Sequence, residues 1–219
     1  MGGSLLLAWS FCRAPFVRAA YARVTVQDGE HRDLMLSAIV AEGEAHAALL
    51  AGETEAARAA YIRAADGYRA SWAIAPPRSY GRLVGLLKAA VLAGVPRPAA
   101  TEVRAALEGD ADADGSPVAN YVLAVAALAL HDDDAVAAHA EVMEGASEAF
   151  QRTAHALRAL AAGDAGGYGD ALAAIEADFA TREEHLTGIE IADTAVMLEL
   201  LAEERGLAAH LASPLVPVG

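Results

Sequence analysis

Apolar residues recur along most of the chain every three to four positions, the period of a helix with one buried face. Ala57, Tyr61, Ala64, Tyr68 and Trp72 form one such stripe, and Phe150, Ala154, Leu157 and Ala161 a second. A third runs through Ile191, Ala195, Leu198 and Ala202. The alternation that marks a half-buried strand is missing, and the longest run of strand formers is only Val24-Thr25-Val26. The pattern predicts an all-α protein.

The stripes are punctuated by sites where a helix ends, turns tightly and restarts. Gly52, Gly94, His131 and Gly163 occupy these turns, at spacings of 42, 37 and 32 residues. A glycine supplies the left-handed residue that closes a helix, and an acid or proline then opens the next one. His131 stands where the other turns have glycine. Such spacings suit two-helix units, and predict about ten helices in five hairpins, stacked as a short α-solenoid or a compact helical bundle.

Finer signals mark the ends of elements. Ala75-Pro76-Pro77 ends one helix, and Ser116-Pro117 opens another as N-cap and first helical residue. Thr187-Gly188-Ile189-Glu190 has the spacing of a capping box for the last long helix, which is expected to stop at Arg205-Gly206. The acidic, glycine-bounded segment 109–117 reads as a flexible surface loop. It divides an N-terminal helical half, 1–108, from a C-terminal half, 118–219, within one continuous helical-repeat domain. The start, through Arg13, Arg18 and Arg23, lacks a basic leader and a cleavage site and is expected to be a first amphipathic helix.

Composition sharpens this picture. Alanine accounts for 57 of the 219 residues and aromatics for only 5%, so the core is expected to be close helix-on-helix packing with few large anchors. The net charge of −14 disfavours nucleic acid and anionic membranes as partners. No apolar run approaches the length of a membrane span. A lone cysteine, Cys12, excludes an internal disulfide and reads as an inert buried thiol. A cytoplasmic protein follows from these features.

Gly52-Glu53, Ala57, Tyr61 and Ala64 resemble the turn and second helix of a tetratricopeptide repeat, and Gly163-Asp164, Tyr168, Leu172 and Ile175 keep the same spacing. That resemblance implies a tetratricopeptide-like stack that binds proteins. Tyr168, Ala171-Leu172, Gly188, Leu198, Leu201-Ala202, Gly206-Leu207 and Ser213-Pro214-Leu215-Val216-Pro217 are similar to the C-terminal end of immunity protein 49-type proteins. This second resemblance implies an all-helical binder that neutralises a cognate toxin.

Catalytic motifs are missing from the sequence, and the expectation is a non-enzyme without cofactor or metal. Glu42 and His46 share a helix face, and Glu184-His185 precedes Glu190 and Asp193, but neither set has the spacing of a helical metal motif. His131, His139 and His155 read as surface or satisfied histidines, and Asp132-Asp133-Asp134 as first-turn acids. A site assembled from such scattered His and Glu positions is the enzymatic alternative.

One stretch runs against the overall charge. Residues 69–104 carry Arg69, Arg78, Arg82, Lys88, Arg97 and Arg104 against the single acid Glu102. Lys88 is the only lysine in the chain. Trp72 and Tyr80 lie within the same stretch, and Trp, Tyr and Arg are favoured at binding hot spots. Trp72, Arg78, Tyr80, Arg82 and Lys88 are therefore the candidate binding residues for a protein or peptide partner, an acidic one among the options. Arg78 and Arg82 would share one face of a helix starting at Ser79. The competing reading is that these cations pair with the protein's own acids.

Overall fold

The computed structural model describes residues 27–217. Among the described residues 70% are helical and none forms a strand. Nine helices lie among the described residues: α1 (Gln27–Leu50), α2 (Thr54–Ala73), α3 (Gly81–Leu92), α4 (Pro96–Leu107), α5 (Pro117–Ala129), α6 (Asp133–Glu144), α7 (Glu148–Ala162), α8 (Ala165–Ala180) and α9 (Asp193–Glu203). The expected first helix and Cys12 fall outside the described residues. None of the described helices is long and apolar enough to cross a membrane.

The four turns close in one way. Gly52, Gly94 and Gly163 have φ of 74°, 72° and 70°, and His131 takes the same conformation at 60°. In each turn the amide that follows reaches back to the carbonyl five residues earlier. These bonds run from Glu53 to Ala48, Val95 to Ala90, Asp132 to Ala127 and Asp164 to Ala159, all at 2.9 Å. This pattern satisfies carbonyls that a helix end would leave bare. His131 preserves the geometry but lacks glycine's ease in the left-handed region. The turns produce four antiparallel hairpins, α1–α2, α3–α4, α5–α6 and α7–α8.

Consecutive helices pack on one another, and contacts between α3 and α5, α5 and α7, and α7 and α9 join the odd-numbered helices. α9 also packs against α3, so the last helix folds back into the body of the protein. The three apolar stripes point inward as their spacing requires. Tyr61, Leu157 and Leu198 are among their buried members. Gly85 on α3 packs tightly against α2: a Cβ there would lie 2.6 Å from the Tyr68 ring. Only glycine lets the tyrosine lie against the α3 backbone.

One local expectation needs correction. Thr187 does not cap the last helix, which begins at Asp193; its hydroxyl instead faces His46 across the fold, and Gly188 forms a left-handed turn at φ 72°. Segment 109–117 is bonded to the helix that it leads into. Asn120 Nδ2 donates to the carbonyls of Ala113, Asp114 and Ser116, and Ala113 is buried.

Candidate functional site

A buried cluster of polar side chains sits where α1, α3 and α9 meet. Helical spacing puts Glu42 and His46 on the inward face of α1, one turn apart. Glu42 is 0% exposed and His46 1%. α3 contributes Lys88, α9 its first residue Asp193, and α2 the tyrosines Tyr61 and Tyr68.

Tyr68 donates its hydroxyl to Glu42 Oε2 at 2.7 Å, held in place by the gap at Gly85. Lys88 Nζ donates to Asp193 Oδ2 and stands 3.5 Å from Glu42 Oε1. The latter distance is an ion pair without a hydrogen bond. His46 Nδ1 pairs with Thr187 Oγ1 at 3.0 Å, and its ring meets Tyr61 edge-on with centroids 5.8 Å apart. Three buried polar atoms here lack a hydrogen-bond partner: Glu42 Oε1, His46 Nε2 and the Tyr61 hydroxyl. Such atoms are costly in an interior, and finding three in one cluster is unusual.

The electrostatics follow from burial and the two acids. Burial lowers the pKa of His46 below its usual value, the neighbouring Asp193 and Glu42 only partly opposing it, so the ring is neutral. Burial would also lower Lys88, yet Asp193 and Glu42 hold it well above its usual value. Burial would raise Asp193, yet the Lys88 ammonium beside it holds the carboxyl below the ordinary carboxylate range. Burial and Glu42 push Tyr61 and Tyr68 upward. Tyr121 on α5, beside Lys88 and Asp193, is pushed up to about 12 mainly by burial. Two carboxylates, one ammonium and a neutral imidazole leave the cluster one negative charge in excess.

The five residues singled out in the sequence do not form one surface. Trp72 and Tyr80 lie together, ring centroids 6.3 Å apart, and Tyr80 donates to Asp110 Oδ2 at 2.8 Å. Arg78 grips Asp112 through two hydrogen bonds of 2.8 and 2.7 Å. Arg82 does not share its face. Arg78 has φ 65°, so α3 starts only at Gly81. Arg82 turns inward to Ser71 Oγ at 2.7 Å and His31 Nδ1 at 2.6 Å. Lys88 belongs to the buried cluster. Arg69 pairs with Glu102 and Asp66, and Arg104 with Asp132.

The cluster was partly visible in the sequence. The i, i+4 pair Glu42 and His46 is apparent, as is the single lysine in a chain with fifteen arginines. Asp193 was not, because only the return of α9 onto α3 brings it there. A second buried acid was missed as well. Glu199 on α9, 0% exposed, accepts from the Tyr168 hydroxyl at 2.8 Å and from the amides of Ala209 and His210 at 2.9 and 2.7 Å. No protein-family model, curated protein or solved structure matches this chain.

Proposed function

We propose that the chain is a non-catalytic, tetratricopeptide-like scaffold that holds a protein partner on the outer face of α1. One observation carries this reading. Leu36 and Val40, one turn apart on α1, are 56% and 62% exposed, and Leu50 further along is 51% exposed. Exposed acids lie on the same helix, Glu30 and Asp33 before the pair, whereas Glu44 after it is paired with Arg63. An apolar row with an acidic rim suits an amphipathic helix whose flanks are basic. Burying side chains of this size contributes about 1.5–3 kcal/mol each.

The partner's charge is drawn from that rim rather than from residues 69–104. Most cations of that stretch already engage internal partners, so an acidic ligand would first have to displace them. An immunity-type role would make a toxin the partner.

A photo-crosslinking residue at position 36 of the full chain, in its native host, tests the reading. The expected product is an adduct to a different protein, through a basic amphipathic helix, that disappears with Val40→Asp. An adduct confined to residues 1–26 of the same chain, an adduct to a second copy, or no adduct would overturn it.

A further inference from the structure

We infer that Glu42, His46 and Asp193 form a binding site for a divalent transition ion, Zn²⁺ in particular. Each of the three offers one ligand atom, and these atoms lie within 4.8 Å of one another. Ligands about 2.1 Å from zinc are separated by roughly 3.4 Å in a tetrahedron, so modest side-chain movement closes the shell. One imidazole nitrogen and two carboxylate oxygens form a donor set that suits zinc.

The unpartnered atoms are independent support. Glu42 Oε1 and His46 Nε2 are both fully buried and lack hydrogen bonds. Histidines that bind metals engage their other nitrogen with a neighbour, which fixes the tautomer and the ring plane. Thr187 Oγ1 is in place to do this at His46 Nδ1, and with Nδ1 as the donor the Nε2 lone pair is open. The loop residue that failed as a helix cap thus has a place in the site.

Lys88 competes with the ion. Its ammonium faces the same two carboxylates and supplies part of the positive charge the cluster needs. An ion taking over those carboxylates leaves the ammonium to turn toward solvent, which it already reaches at 11% exposure. Removing the ammonium leaves two negative charges facing one divalent ion, so Lys88→Met tightens binding.

The test uses the full chain after chelation, with Zn²⁺ alone as the probe and Mg²⁺ as control. One Zn²⁺ per chain is expected, with Tm rising by about 5–10 °C at a hundred times Kd. Co²⁺ should give visible ligand-field absorption that His46→Gln abolishes. Asp193→Asn should weaken Zn²⁺ binding at least about tenfold; Asp193 is partly exposed, so this variant serves if His46→Gln does not fold. Lys88→Met should strengthen binding by a similar factor. Three results would overturn the site: failure of both the native chain and Lys88→Met to take up Zn²⁺, uptake unchanged by His46→Gln and Asp193→Asn, or an equal Tm rise with Mg²⁺. The second would place the ion on surface acids, and the third would make it a screening effect.

Discussion

Two glutamates among the described residues are fully buried, and each accepts a hydrogen bond from a tyrosine on a helix next to it in the chain. Glu199 receives Tyr168 from α8, and Glu42 receives Tyr68 from α2. Beyond that they differ. Both oxygens of Glu199 are occupied by neutral donors, the tyrosine and two backbone amides of the C-terminal tail. Its role is complete within the chain: it fastens the tail to α9. Glu42 has one satisfied oxygen, while the other faces a lysine at ion-pair distance beside a second acid and an unbonded imidazole nitrogen. A buried charge is tolerated when its partners are complete. One of these sites closes on itself, and the other has capacity to spare.

Substitutions can break that contrast. The largest effect is expected at Lys88. Lys88→Met leaves Glu42 and Asp193 without their cation, and removing one partner of a buried ion pair costs about 3–5 kcal/mol. Urea unfolding of the chelated protein measures it, and a loss below 1 kcal/mol would mean that water already screens the cluster. Next come two matched changes. Glu199→Gln sets an amide donor against a backbone N–H and is expected to cost about 1–3 kcal/mol. Glu42→Gln keeps the Tyr68 bond through its carbonyl oxygen and leaves Lys88 and Asp193 as a balanced pair; its NH2 meets the Lys88 ammonium only at 3.5 Å, so its cost is expected to be the smaller of the two, about 1 kcal/mol. Equal losses at the two positions would erase the distinction between closed and open sites.

Gly85→Ala probes how the open site is held. Replacing a helical glycine by alanine gains about 1 kcal/mol in propensity, whereas forcing a methyl into a packed core costs about 1–3 kcal/mol. The Tyr68 ring would have to yield, and its hydroxyl is bonded to Glu42. A net loss of about 1 kcal/mol in thermal or urea unfolding is expected. A gain would show that the ring moves freely and that Tyr68 does not fix Glu42.

The sequence made the hairpins legible because their signals are local. Turn glycines, the Ser116 cap and the 3.6-residue stripes act within a few residues of themselves, and each was found where expected. Even His131 kept its turn, since the surrounding helix ends dictate the left-handed residue more strongly than its side chain resists. The cluster was less legible because it is long-range: Glu42, Lys88 and Asp193 meet only through the return of α9 onto α3. The same reasoning accounts for Thr187, whose spacing suits a cap but whose hydroxyl found a tertiary partner. At Arg78 a left-handed backbone delayed the start of α3, and the expected pairing with Arg82 was lost with it.

The last expected effect is the pH response, to which the open site contributes His46. His46 has a folded-state pKa below its usual 6.5, chiefly because it is buried, so below that pH the unfolded chain binds the proton more readily than the folded one. His139 is lowered in the same direction by burial and Arg104. Stability contributed by these neutral rings is complete above about pH 6.5 and is lost as pH falls, by at most about 1.4 kcal/mol per unit for each ring. Asp193 adds a second loss below its usual 3.8, since its folded pKa is depressed and acid must break its bond with Lys88. Unfolding free energies of the chelated protein between pH 7 and 5 should therefore decline, and His46→Gln and His139→Gln should each flatten part of that decline. If His46→Gln leaves the slope unchanged, the imidazole titrates normally in the fold, and the cluster is more open to water than its burial implies.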